Sequence, residues 1–156
     1  MEKLKLNNGI EMPQLGFGVF QITDYDLCKQ SVKNAFKIGY RLIDTAACYG
    51  NEKAVGDAIR ESQLTREELF ISSKVWIQKD GYEGTKQTFM KSLDNLQTDY
   101  IDILYIHRWD YHTPIEETMC ALNDLVSSGK VHYLGASSMY AWQFQKAQYV
   151  AEKNGW

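Results

Sequence analysis

Five times along this chain a short apolar run is followed by a stretch with helical spacing, and that recurrence constrains the fold more than any other feature. The runs at residues 15–18, 41–44, 69–74, 101–107 and 131–137 read as strands. Most are apolar rather than alternating, as expected of parallel strands covered on both faces. Between them, residues 24–38 carry Cys28, Val32, Ala35 and Phe36 on one face, and residues 113–126 carry Ile115, Met119, Leu122 and Val126. Thr113 followed by Pro114 and Glu116 reads as a capped helix start. Residues 51–61, 83–96 and 140–154 fill the remaining helical slots, the last with Tyr140, Phe144, Ala147 and Ala151 aligned and Gly155 in the capping position. Ahead of the first unit, residues 3–13 flank Asn7-Asn8-Gly9, a hairpin signal that predicts a small N-terminal lid.

Repeated βα units leave two main architectures, an open doubly wound sheet or a (β/α)8 barrel. A dinucleotide fold wants G-x-G-x-x-G after the first strand, and here the match stops at Gly16-Phe17-Gly18. A barrel is favoured by the strand ends: Asp44, Lys74, His107 and Ser137 with Ser138 each close an apolar run, and in a barrel such ends converge on one mouth. A complete barrel takes about 250 residues, so 156 residues predict a partial barrel, a single unit over residues 1–156. An open sheet of this kind leaves unpaired edges, and a second copy or a complementing chain is expected to cover them.

Composition narrows the function classes. With 17 basic residues scattered among 20 acidic ones and a net charge of −3, there is no footprint for a nucleic acid or an anionic membrane. No run reaches the roughly 18 apolar residues of a membrane span, and the opening MEKLKLNNG lacks a secretory core, which places the chain in the cytoplasm. The 3 cysteines, Cys28, Cys48 and Cys120, form no disulfide framework and read as reduced, buried thiols.

Asp44, Tyr49, Lys74 and His107 together make a proton-donating site. A tyrosine, with a reference pKa of about 10, is a poor acid unless neighbours stabilise its phenolate, and a lysine ammonium within hydrogen-bonding reach does that. Asp44 would keep Lys74 charged, and His107 can orient a carbonyl oxygen without adding net charge. Singly, each residue also reads as an ordinary turn or surface group. A metal site built on His107, Asp110 and His112 is a weaker reading, and no metal is expected.

The stretch Leu42-Ile43-Asp44-Thr45-Ala46-Ala47-Cys48-Tyr49-Gly50-Asn51-Glu52 resembles the first signature of the aldo-keto reductases. Ile71-Ser72-Ser73-Lys74-Val75-Trp76 is similar to their catalytic-lysine strand, and Tyr100 to His107 to the strand ending in the substrate-orienting histidine. Gly129-Lys130-Val131 followed by Leu134-Gly135-Ala136-Ser137-Ser138 is similar to the next signature. The resemblance implies a (β/α)8 barrel and an NADPH-dependent oxidoreductase that reduces a small aldehyde or ketone, with Tyr49 as general acid, Lys74 lowering its pKa, Asp44 paired to Lys74 and His107 on the substrate carbonyl. It also implies that Gly18, Val19, Asp44, Ser137 and Ser138 meet the NADP cofactor and that Phe20, Trp76 and Trp109 line the substrate side. The two tryptophans read equally well as buried aromatics. Residues to about 99 resemble the 2,5-diketo-D-gluconate reductase branch and residues 100–156 another bacterial branch, so the chain reads as a chimera, natural or made. The later strands, with the pyrophosphate-gripping loop and the residues that select the 2′-phosphate, would lie beyond Trp156. A truncated, non-catalytic scaffold or regulatory subunit is the alternative reading.

Overall fold

The computed structural model describes residues 2–76 and 81–156. Strands β1 (Lys3–Lys5) and β2 (Glu11–Pro13) pair antiparallel, with Leu4 opposite Met12. Gly9, at φ 92°, lets the connection turn tightly enough for its N–H to donate to the Leu6 carbonyl at 2.9 Å. The hairpin docks at the entry end of the last strand, where Tyr133 Oη donates to Asn7 Oδ1 (2.7 Å) and Asn8 Nδ2 to the His132 carbonyl (3.3 Å).

The remaining strands, β3 (Gly16–Gly18), β4 (Leu42–Asp44), β5 (Phe70–Val75), β6 (Ile101–Ile106) and β7 (Val131–Ala136), form one parallel sheet in the order β3-β4-β5-β6-β7. Spatial order follows chain order without a reversal, whereas a doubly wound sheet reverses at its switch point. That settles the architecture as an arc of a (β/α) barrel. Helices α1 (Tyr25–Lys37), α2 (Glu52–Arg60), α3 (Gly81–Leu96), α4 (Ile115–Ser127) and α5 (Ala141–Asn154) each pack against the next along the chain.

Strand parity sorts the side chains. Ile43, Ile71, Val75, Leu104 and Ile106 join the buried core with Cys28, Val32, Ala35 and Phe36 of α1 and with Ala54, Val55 and Ala58 of α2. The alternate residues, among them Asp44, Ser72, Lys74 and Tyr105, stand on the opposite face, toward the barrel axis.

Several local expectations shift. Pro114 is the cap of α4 rather than its first helical residue, because it is held extended at ψ 132°, and α4 begins at Ile115; the Thr113 side chain is engaged with Asp110. That helix buries Leu125 and leaves Val126 partly exposed. In α5 the buried stripe is Gln143, Ala147 and Val150; Tyr140 is the exposed cap before the helix, and Phe144 faces outward beside β7. Of the thiols, all free, Cys28 is buried and Cys120 half-buried, but Cys48 is exposed, because it lies in a 3-10 turn, Ala47–Tyr49, outside the strand ends.

Candidate active site

The exit ends of the strands bring the singled-out residues together because pairing register and parity agree. Gly18 pairs with Asp44, Asp44 with Ser72, and Lys74 with Tyr105, so these positions share the axis-facing side. The ladder continues past the strand ends: Thr45 N donates to the Ser72 carbonyl, His107 N to that of Val75 and Ser137 N to that of Ile106. His107 and Ser137 are thereby fixed by backbone bonds although each lies one residue outside its strand.

Lys74 Nζ donates to both carboxylate oxygens of Asp44, at 2.8 and 2.7 Å, and to the Thr45 carbonyl at 2.9 Å. Ser72 Oγ donates to the same carboxylate at 2.7 Å. All three ammonium protons are therefore taken, and Lys74 meets Tyr49 electrostatically, with Nζ 5.1 Å from the centre of the phenol ring. This differs from a direct lysine–phenol hydrogen bond: Asp44 and the Thr45 carbonyl saturate the donors.

Tyr49 is delivered by the turn Ala47–Tyr49, which Gly50 closes at φ 72°. Its ring stands 4.9 Å from Phe20 and 5.7 Å, edge-on, from His107. Trp76 is perpendicular to His107 at 5.1 Å, and the Arg108 guanidinium lies 5.9 Å from the Trp76 ring. Phe20, Tyr49, Lys74, Trp76, His107, Ser137 and Ser138 line one cavity of about 540 Å³, joined by Gln21, Thr23, Cys48 and Arg108. Ser138 holds φ 52°, a left-handed conformation that costs a serine about 1 kcal/mol, and its hydroxyl lies 3.2 Å from that of Ser137.

Two expected site residues sit elsewhere. The Val19 side chain is in the hydrophobic core, because parity turns it away from the face of Gly18. Its backbone joins the site instead, through Val19 N to the Asp44 carbonyl (3.0 Å) and Asn51 Nδ2 to the Val19 carbonyl (2.8 Å). Trp109 packs edge-on against Trp142 at 5.7 Å and does not line the cavity.

A family model described as the aldo/keto reductase family matches residues 14–155. The chain belongs to the aldo/keto reductase family. It is 45% identical over 151 residues to a glyoxal reductase of Bacillus subtilis (strain 168), a match covering 97% of this chain and 54% of that protein. A solved aldo/keto reductase from Brucella melitensis superposes with a TM-score of 0.88 at 37% identity, over 99% of this chain and 59% of the other. An aldo-keto reductase of Bombyx mori in complex with NADP superposes with a TM-score of 0.78 at 31% identity, over 86% of this chain and 50% of the other. The chain spans about half the length of the curated relatives it matches.

Within this aldo/keto reductase arc, sequence reading missed four cavity residues and one brace. Gln21 and Thr23 lie in a loop without periodicity, and Arg108 and Cys48 in turns where no repeat predicts facing. The brace is Asn51, buried, which accepts from Thr45 Oγ1 (2.9 Å) and donates to the Val19 and Ile22 carbonyls, tying the Phe20 loop to the start of α2. Its only sequence signal is a polar residue beside Tyr49 at a helix start. Among the described residues, no group of three His, Cys, Asp or Glu side chains could hold a metal ion, and no helix is long and apolar enough to cross a membrane.

Burial pushes the His107 imidazole below its ordinary pKa, and the positive Lys74 and Arg108 push it the same way. The ring is therefore neutral at pH 7, able to donate one hydrogen bond. Because the folded-state value is depressed, the stability this group contributes is present above the unfolded value of about 6.5 and is lost as pH falls toward the folded value. Following the His107 Cε1–H resonance through an acid titration should give a midpoint below 6.5; a midpoint at or above that value would contradict this assignment.

Proposed function

We propose that this chain carries the proton-donating and carbonyl-binding machinery of an NADPH-dependent reductase that converts a small aldehyde or ketone to the alcohol. The observation that carries the reading is the Lys74 ammonium, bonded to both oxygens of Asp44 and 5.1 Å from the centre of the Tyr49 ring, with neutral His107 beside it. Nε2 or Nδ1 of His107 donates to the substrate carbonyl oxygen and polarises it. As negative charge develops there, the Tyr49 hydroxyl gives that oxygen its proton. The phenolate left behind is stabilised by the Lys74 charge, and the open cavity lets water return the proton. Asp44 takes no part in the proton transfer; its two oxygens hold the Lys74 ammonium in place.

The residues present fit the nicotinamide end of the cofactor. Gly18 pairs with Asp44 on the axis-facing side, and the position of its absent Cβ lies 4.0 Å from Asp44 Oδ2. The Ser137 and Ser138 hydroxyls are bonded to each other and can both donate to and accept from a carboxamide. Asp44, Gly18, Ser137 and Ser138 would hold that end. When bound, reduced nicotinamide supplies the hydride that the carbonyl carbon takes up.

Small dicarbonyls and aldehydes are the substrate class we favour, since the glyoxal reductase relative shares 45% of its matched residues. The test is NADPH oxidation, followed by absorbance, with glyoxal and with a reactive aromatic aldehyde. Saturable turnover that yields the alcohol is expected; saturable NADPH binding without turnover would instead favour a non-catalytic scaffold. Among the described residues β3 and β7 each pair on one side only. The cover proposed for these edges is a second copy or a complementing chain, and sedimentation showing a dimer is the result expected of a second copy. A monomer at high concentration would exclude the second copy and leave a complementing chain.

A further inference from the structure

A neutral imidazole carries a single N–H, and which nitrogen holds it decides whether the ring can donate to a carbonyl oxygen or only present a lone pair to it. His107 is fixed in place by its backbone bond to Val75 and by edge contacts with Tyr49 and Trp76, but ring contacts do not choose a tautomer. The thiol of Cys48 lies 3.3 Å from His107 Nδ1, inside the range for a hydrogen bond to sulfur. We propose that Cys48 is a positioning residue: its S–H donates to Nδ1 of His107 and holds the tautomer that keeps the proton on Nε2, free to donate to a substrate carbonyl.

Two arguments set the direction of that bond. Of the two protons in question, the thiol's is the more acidic, and an sp² imidazole nitrogen is a better acceptor than a thiol sulfur. Partial desolvation also pushes the Cys48 thiol up, so the S–H is intact at neutral pH, and the depressed value at His107 keeps the ring neutral, with one of its two nitrogens left as an acceptor. The arrangement follows from the local sequence. The 3-10 turn Ala47–Tyr49 carries Cys48 and Tyr49 as neighbours, so a single turn sets both the proton donor and the group that orients its carbonyl-binding companion. What Nε2 does rests on the reductase reading; which nitrogen carries the proton does not.

The test uses the full chain, labelled with ¹⁵N, and long-range proton–nitrogen correlation of the imidazoles. With 3 histidines the spectrum is simple, and a His107→Gln variant assigns the ring. At pH 7.5 the wild type should show Nε2 protonated and Nδ1 unprotonated and hydrogen-bonded. Cys48→Ser, whose hydroxyl can donate in the same place, should keep that pattern. Cys48→Ala should shift the Nδ1 resonance and admit the Nδ1-protonated form, with kcat/KM for an aldehyde falling about 3- to 10-fold, the loss of one net hydrogen bond. A wild-type ring protonated at Nδ1, or nitrogen shifts unchanged in Cys48→Ala, would overturn the proposal. The nitrogen spectra need no turnover: a tautomer that moves in a chain without activity upholds the role of Cys48 and counts against the reductase reading alone.

Discussion

Tyr49→Phe is expected to lower kcat for aldehyde reduction by at least about 10²-fold, the lower bound for removing a positioned general acid. The substitution deletes one oxygen and little else. The ring keeps its contacts with Phe20 at 4.9 Å and His107 at 5.7 Å, and Lys74 keeps an aromatic face 5.1 Å from its ammonium. The Asp44–Lys74 pair has its own closed set of donors and acceptors, none of which involves the phenol hydroxyl. NADPH binding and thermal stability should therefore be unchanged while turnover is lost. Steady-state kinetics beside a thermal melt checks this; activity within about 3-fold of wild type would mean that another group supplies the proton.

Gly56→Ala is expected to be the most costly methyl addition outside the site, at about 2–3 kcal/mol. Gly56 lies within α2 where that helix crosses the end of α3. A Cβ there would stand 2.2 Å from the Asn95 carbonyl oxygen and under 3 Å from two backbone atoms of Leu96. No rotamer change can move those atoms, so α2 and α3 must separate. The roughly 1 kcal/mol by which alanine favours a helix over glycine cannot offset the loss. The damage should reach the site as well, because Glu52 at the head of α2 is buried, accepts from Ser73 Oγ at 2.7 Å and lies 3.4 Å from Asn95 Nδ2. Ser73 precedes Lys74 in β5. Urea unfolding should show a lowered midpoint with an unchanged slope, and a wild-type midpoint would contradict the backbone clash.

Much of this was legible in the sequence because a parallel strand end is a local pattern. Apolar runs closed by Asp44, Lys74 and His107 give both the strand and the exit end, and a period of two then forces those side chains onto one face. Strand order is not a local property: the polar strand ends favour a barrel over an open doubly wound sheet, and the pairing of β3 through β7 in chain order decides it. Side-chain facing failed where periodicity stops. Val19 follows Gly18 directly, and alternation sends it to the core; Trp109 stands two residues after His107, but β6 has ended by then and the loop turns it onto Trp142. Cys48 lies in a 3-10 turn with no stripe to read, and the α4 start moved because Pro114 stayed extended. In α5, Phe144 forms the outward flank beside β7 while Tyr140 stays exposed as the cap, a partition that depends on what packs there and not on spacing alone.

The central claim is that Asp44, Tyr49, Lys74 and His107 form a working carbonyl-reduction site, and label transfer tests it most directly. The chain is incubated with glyoxal and NADPH carrying deuterium at the transferable C4 position, and the product is read by NMR. One deuterium is expected on the new carbinol carbon, formed by the wild type and not by Tyr49→Phe. Saturable cofactor binding with no labelled alcohol, or equal labelling by the two proteins, would contradict it.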